Sequence, residues 1–256
     1  MLPIKKIELI VQNFDRESDA AHDLGHLRRV ASGAQWFVRM SDGNNEEQQM
    51  AYVAGLLHDI CRPKSGNADG HEIASAELSR KLLLKLNVDS ETIEQVTDAI
   101  SSHRAPAKWN SPAHESVFFA DKVFELMGAM ILFRRTVWVG EHREFHNETV
   151  TDSIIDRFES SNRKHRPSHF NKSFRKLVNE QYSWPVRFLR ALQDEEAWAL
   201  YLGAAGFSNG AHEKKPINVF MRSFKPIERE DAKAKTEALK YFNGRKWNDW
   251  AAMVRH

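Results

Sequence analysis

Apolar residues recur at helical spacing through most of this chain, and strict alternation over a strand length is scarce, so the expected fold is all-α. The spacing predicts a first amphipathic helix within residues 1–14 and a second over about 24–40, stopped by the turn formers Ser41-Asp42-Gly43-Asn44-Asn45. A third is expected over 46–58. A loop over 61–70, carrying Pro63, Gly66, Asn67 and Gly70, opens directly after His58-Asp59. Further helices are expected over 71–86, from an Asp89 or Ser90 cap to about 103, and from about 112 to 133. At 256 residues the chain can bury one large core or a core plus a smaller unit. We expect a helical core over 1–135 and a helical extension over 136–256 packed on the same core.

Charge and cysteine usage exclude several classes. A net charge of +2 creates no global field for nucleic acid or membrane, so any basic patch must be local. Residues 134–190 are one such region, with 12 Arg or Lys against 7 Asp or Glu; they read as a phosphate-attracting rim or a solvated helical face. Cys61 is the sole cysteine, which rules out an internal disulfide and paired-thiolate zinc sites and fits a reducing cytoplasm. Lys5, Lys6 and Glu8 interrupt the N-terminal apolar run, unlike a signal peptide or membrane span. Trp247 and Trp250 in the tail are read as core-packing aromatics.

Histidines and aspartates at the ends or inner faces of successive helices are the chemically informative feature. His103 follows Ile93, Val96 and Ile100 by ten, seven and three residues, on the inward stripe. Asp121 falls four after Val117 and three before Phe124, which buries a carboxylate that then needs a cation or strong donors. His26 lies four before Val30 and eleven before Phe37; His22, at the start of that helix, competes with it. His58-Asp59 ends an apolar helix, where adjacent side chains can converge on one ion. Mixed imidazole and carboxylate donors suit Mn, Fe, Co, Ni or Zn, whereas all-oxygen sites suit Mg or Ca.

The order His26, His58-Asp59, Asp121 resembles the signature of the HD superfamily of metal-dependent phosphohydrolases. Ala21-His22-Asp23-Leu24-Gly25-His26-Leu27-Arg28-Arg29-Val30 is similar to the first-histidine motif of a YedJ-like bacterial branch, in which the ligand precedes the Arg-Val pair; that position is His26. Where the branch flanks an alanine with two aspartates, this chain has Phe119-Ala120-Asp121 and offers Asp121 alone. The resemblance covers about residues 20–135.

It implies an HD-type helical bundle that binds a divalent metal through His26, His58, Asp59 and Asp121. His71 and His103 resemble the extra ligands of binuclear members, with Asp59 as the bridge; in a one-metal site they would bind phosphate instead. One ion is expected, with a second allowed, and Mg remains an option. The implied reaction is hydrolysis of a phosphorylated small molecule, above all a nucleotide, by water that the metal acidifies to a pKa of about 7. Asp59 would orient that water, and Arg29, Arg104 and Lys122 would neutralise phosphate charge. Neither a membrane nor a nucleic-acid partner is expected, and the oligomeric state is left open. The rival readings are an HD-type di-iron oxygenase and a non-catalytic nucleotide-binding sensor.

Overall fold

The computed structural model describes residues 2–14, 20–62 and 70–254, and these form helices and the turns that join them, with no strand among them. The chain divides into two compact units, one of Met1–Ser18 with His22–Phe124 and one of Asp19–Ala21 with Glu125–His256.

The first unit is built from α1 (Ile4–Asn13), α2 (Leu24–Met40), α3 (Asn45–Leu57), α4 (His71–Lys85), α5 (Ser90–Ser101) and α6 (Pro112–Phe119). The starts of α2, α3, α5 and α6 reflect short polar side chains that satisfy the free N–H groups of a first turn. Asp23 accepts from His26 N, Asn44 forms a capping box with Glu47, Asp89 accepts from Thr92 N and Ser111 from His114 N. Helices α2 and α3 lie so close that a Cβ on Gly55 would stand 2.5 Å from Ala31 Cα, and only glycine permits this approach. An aromatic seam ties α2 to the last residue of α6 and the turn beyond it: Phe37 stacks on Phe119 with centroids 4.3 Å apart, and Trp36 meets Phe124 edge-on at 5.5 Å.

The helix expected over 112–133 is not continuous. After Phe119 the chain widens into a π-helical turn, Ala120–Glu125, and Gly128 adopts φ +72 before α7 (Met130–Glu141) begins. The apolar run from Phe118 to Phe133 conceals this break, because residues on both sides of it are buried. Widened turns of this kind often occur at functional sites. Residues 63–69, most of the expected loop, lie outside the described residues; Gly70 (φ +78) leads directly into α4.

The second unit contains α7, α8 (Val150–Lys164), α9 (Arg175–Gln193), α10 (Ala197–Ser208), α11 (Ile217–Ser223), α12 (Arg229–Phe242) and α13 (Trp247–Val254). Its interior holds a polar cluster: Arg134 pairs with Glu125 at 3.0 Å, and Tyr241 Oη donates to Glu125 Oε1 at 2.6 Å. Trp250 is buried against Tyr241, so the tail aromatics do pack on a core. No helix among the described residues is long and apolar enough to cross a membrane.

Candidate metal centre

Six residues distant in sequence meet around Asp59 inside the first unit. His26 comes from the first turn of α2, His58 caps the C-terminus of α3, and Asp59 sits in the turn beyond it. His71 opens α4, His103 follows the C-cap of α5, and Asp121 lies on the widened turn after α6. All six are buried.

The two oxygens of Asp59 face different histidines. Oδ2 lies 3.7 Å from His26 Nε2 and 3.6 Å from His58 Nε2, while Oδ1 lies 2.9 Å from His71 Nε2 and 3.5 Å from His103 Nε2. Asp121 Oδ1 approaches His26 Nε2 at 3.7 Å. Three overlapping groups hold potential ligand atoms within 4.8 Å of one another: His26, His58 and Asp121; His58, Asp59 and His103; and His22, His26 and Asp59. His22 is therefore close to the centre, its ring 5.3 Å from that of His26, but it is half-buried where His26 is fully enclosed.

Backbone carbonyls set the imidazole tautomers. His58 Nδ1 donates to Gly55 O at 2.8 Å and His103 Nδ1 to Ile100 O at 2.5 Å, which leaves each Nε2 with its lone pair directed to the centre. Burial pushes the His58 imidazole down to about 3, outweighing the attraction of Asp59, so the ring is neutral and ready to coordinate. Burial resists ionisation of Asp59, yet the surrounding imidazoles and the Arg62 guanidinium hold its carboxyl well below the usual range. Asp121 is likewise held low against burial, chiefly by Lys122, whose Nζ donates to Oδ2 at 2.5 Å.

The residues fit a divalent ion. His58 Nε2 is buried with no hydrogen-bond partner, a costly arrangement that a coordinated ion would relieve. Metal bonds of about 2.0–2.2 Å place neighbouring donors roughly 3.0–3.5 Å apart, close to the separations around Asp59. Neutral imidazoles beside ionised carboxylates suit a first-row transition ion.

The proposed cations are distributed unevenly. Lys122 is at the centre through Asp121. Arg104 is exposed and stands 3.6 Å from Glu72 Oε1. The Arg29 guanidinium folds back towards Gly25 and the Asp23 carboxylate at the start of α2. Two residues escaped the sequence reading. Arg62 places Nη1 3.7 Å from Asp59 Oδ2 and 3.5 Å from His71 Nε2, and Glu72 lies 3.4 Å from His71 Nδ1. Their signals were local: Arg62 is the third residue after Asp59 in a tight turn, and Glu72 adjoins a proposed ligand.

The HD domain family model matches residues 23–168. A crystal structure of a predicted HD superfamily hydrolase from an uncultured Thermotogales bacterium is 25% identical, with a TM-score of 0.50, covering 75% of this chain and 92% of that one. An uncharacterized protein of Clostridium beijerinckii is 27% identical over 125 residues, 48% of this chain and 78% of its own. Protease HtpX of Yersinia pestis is 27% identical over 118 residues, but this chain spans only 40% of that protein's length. The H-E-x-x-H signature of zinc metalloproteases occurs nowhere in this sequence.

Proposed function

The chain belongs to the HD domain family, and from that premise we propose that it is a metal-dependent phosphohydrolase acting on a phosphorylated small molecule, with nucleotides as the substrate class. The observation that carries this reading is the buried, unpartnered Nε2 of His58, grouped with His26 and Asp121 and next to an ionised Asp59. His26, His58, Asp59 and Asp121 would hold the ion. When bound, it supplies Lewis acidity that withdraws charge from phosphoryl oxygens and makes water a stronger acid.

The remaining steps fall to the protein. Asp59, ionised and acceptor-only, orients the attacking water through a hydrogen bond. Arg62, beside Asp59 and only partly exposed, receives the phosphoryl oxygens and neutralises charge that develops on them. Lys122 keeps Asp121 ionised. Glu72 steadies His71 from its Nδ1 side.

A phosphate-release screen of nucleotides, sugar phosphates and phosphodiesters, run separately with Mn, Co, Ni and Mg, tests the reading. Turnover that depends on the metal and disappears in Asp59→Ala supports it; a metal-loaded protein inactive on every substrate overturns it. The separate approach of histidine pairs to the two oxygens of Asp59 also favours a second reading, a dinuclear iron oxygenase. Oxygen consumption by the iron-loaded protein, together with a coupled di-iron spectrum, would distinguish it.

A further inference from the structure

In the second unit, the near-neutral balance of the whole chain conceals a strongly basic band. Residues 160–179 contain Arg163, Lys164, Arg166, Lys172, Arg175 and Lys176 and no aspartate or glutamate. All six cations are exposed. Arg163 pairs with Glu159 at 3.4 Å, but Lys164, Arg166, Lys172, Arg175 and Lys176 form no ion pair with any described residue. Five cations in succession along the chain thus lack an acidic partner among the described residues.

The band is also ordered for display. Phe170 and Phe174 are buried and pin it to the unit. Two 3-10 turns, Pro167–His169 and Lys172–Phe174, shape it, the first closed by Arg166 N–H donating to His169 Nδ1 at 3.4 Å and the second by Ser173 N–H donating to Asn171 Oδ1 at 3.0 Å. The second turn leads into α9, a helix of 19 residues that has no side-chain cap and no acid in its first turn. Arg175 and Lys176 occupy that first turn, where the helix dipole disfavours positive charge. A helix start that is uncapped and carries cations is poorly matched to folding alone and well matched to an external anion.

We propose that this band binds the phosphodiester backbone of a nucleic-acid strand. One small phosphate cannot neutralise five cations spread over the end of α8, two turns and the start of α9, whereas a strand presents a charge at every nucleotide. A lipid surface is the poorer match, because the segment exposes no large apolar side chain to enter a membrane; its two phenylalanines point inward. The proposal stands independently of the metal chemistry. Contacts of this kind position a strand without reading its sequence.

Fluorescence anisotropy of the full-length protein with a labelled 20-nucleotide single-stranded RNA of mixed sequence tests this. Binding is expected at 50 mM NaCl and should weaken with salt, with a log–log slope of about −3.5 if five cations each meet a phosphate, at about 0.7 per contact. The combined variant Lys172→Glu, Arg175→Glu, Lys176→Glu should raise Kd at least about tenfold and flatten the slope by about 2. A control with the same charge change, Lys5→Glu, Lys6→Glu, Lys225→Glu, should stay within about threefold of wild type, circular dichroism confirming that both variants fold. The proposal is overturned by no binding up to 100 µM RNA at 50 mM NaCl, by equal losses in the two variants, by polyglutamate of matched charge competing as well as RNA, or by tighter association with phosphatidylserine vesicles.

Discussion

His71 Nε2 lies 2.9 Å from Asp59 Oδ1, the carboxylate oxygen opposite the one that faces His26 and His58. One buried aspartate thus addresses two sets of donors, the arrangement a bridging ligand requires. These distances favour a second ion beyond the single one expected from the sequence. His71→Ala or His103→Ala should reduce metal stoichiometry from two towards one without emptying the His26, His58, Asp121 side. Elemental analysis under saturating Mn or Co decides it; a single ion in wild type, kept by both variants while KM rises, would assign these histidines to phosphate binding.

Asp59→Ala should lose both metal and hydrolysis while keeping the helical circular dichroism signal, because the carboxylate is the common neighbour of four histidines. A well-folded variant that retained wild-type metal content would remove Asp59 from the ligand set.

His26 and His22 should behave differently although their rings are 5.3 Å apart. Only His26 is fully buried and within 3.7 Å of both Asp59 and Asp121. His26→Ala is expected to empty the first site and His22→Ala to preserve it. The reverse result in a metal titration would make His22 the ligand.

Gly55→Ala would drive a methyl group to 2.5 Å from the Ala31 backbone, and backbone cannot yield as a flexible side chain would. Helices α2 and α3 must separate, which also parts His26 from His58. Urea denaturation should show a loss of about 1–3 kcal/mol, accompanied by weaker metal binding. Unchanged stability would mean the helices can slide apart without cost.

Glu115, half-buried in the first turn of α6, has its carboxyl pushed up from 4.5 to about 7 by burial. The folded state then holds a proton that the unfolded chain releases, so stability is complete below pH 4.5 and declines as pH rises to about 7. Glu115→Gln removes this dependence. After allowance for solvent screening, the variant should be about 1 kcal/mol more stable than wild type at pH 8 and nearly equal to it at pH 4. Thermal melts at the two pH values check it, and an identical difference at both would contradict the shift.

Much of the centre was legible because periodicity reports which way a helical residue faces. His26, His103 and Asp121 share the register of apolar neighbours that the structure buries, and His58-Asp59 falls where the apolar helix α3 ends. Periodicity fails where the helix changes its own geometry. The run from Phe118 to Phe133 reads as continuous, yet a widened turn and a left-handed Gly128 divide it, since a fully buried segment loses the polar face that would mark a change of phase. Charge counts located the basic region over 134–190, but counts carry no distances. Only the folded chain shows that Arg104 lies beside Glu72, that Lys122 lies on Asp121, and that five cations between Lys164 and Lys176 have no described ion-pair partner. The sequence by itself determined the helices, their inward faces and the donor types available for a metal, because these depend on neighbours within a turn or two. Tertiary structure alone decided that Arg62 and Glu72 join the centre and that Asp59 turns one oxygen to each pair of histidines, because those relationships depend on where separate helix ends meet.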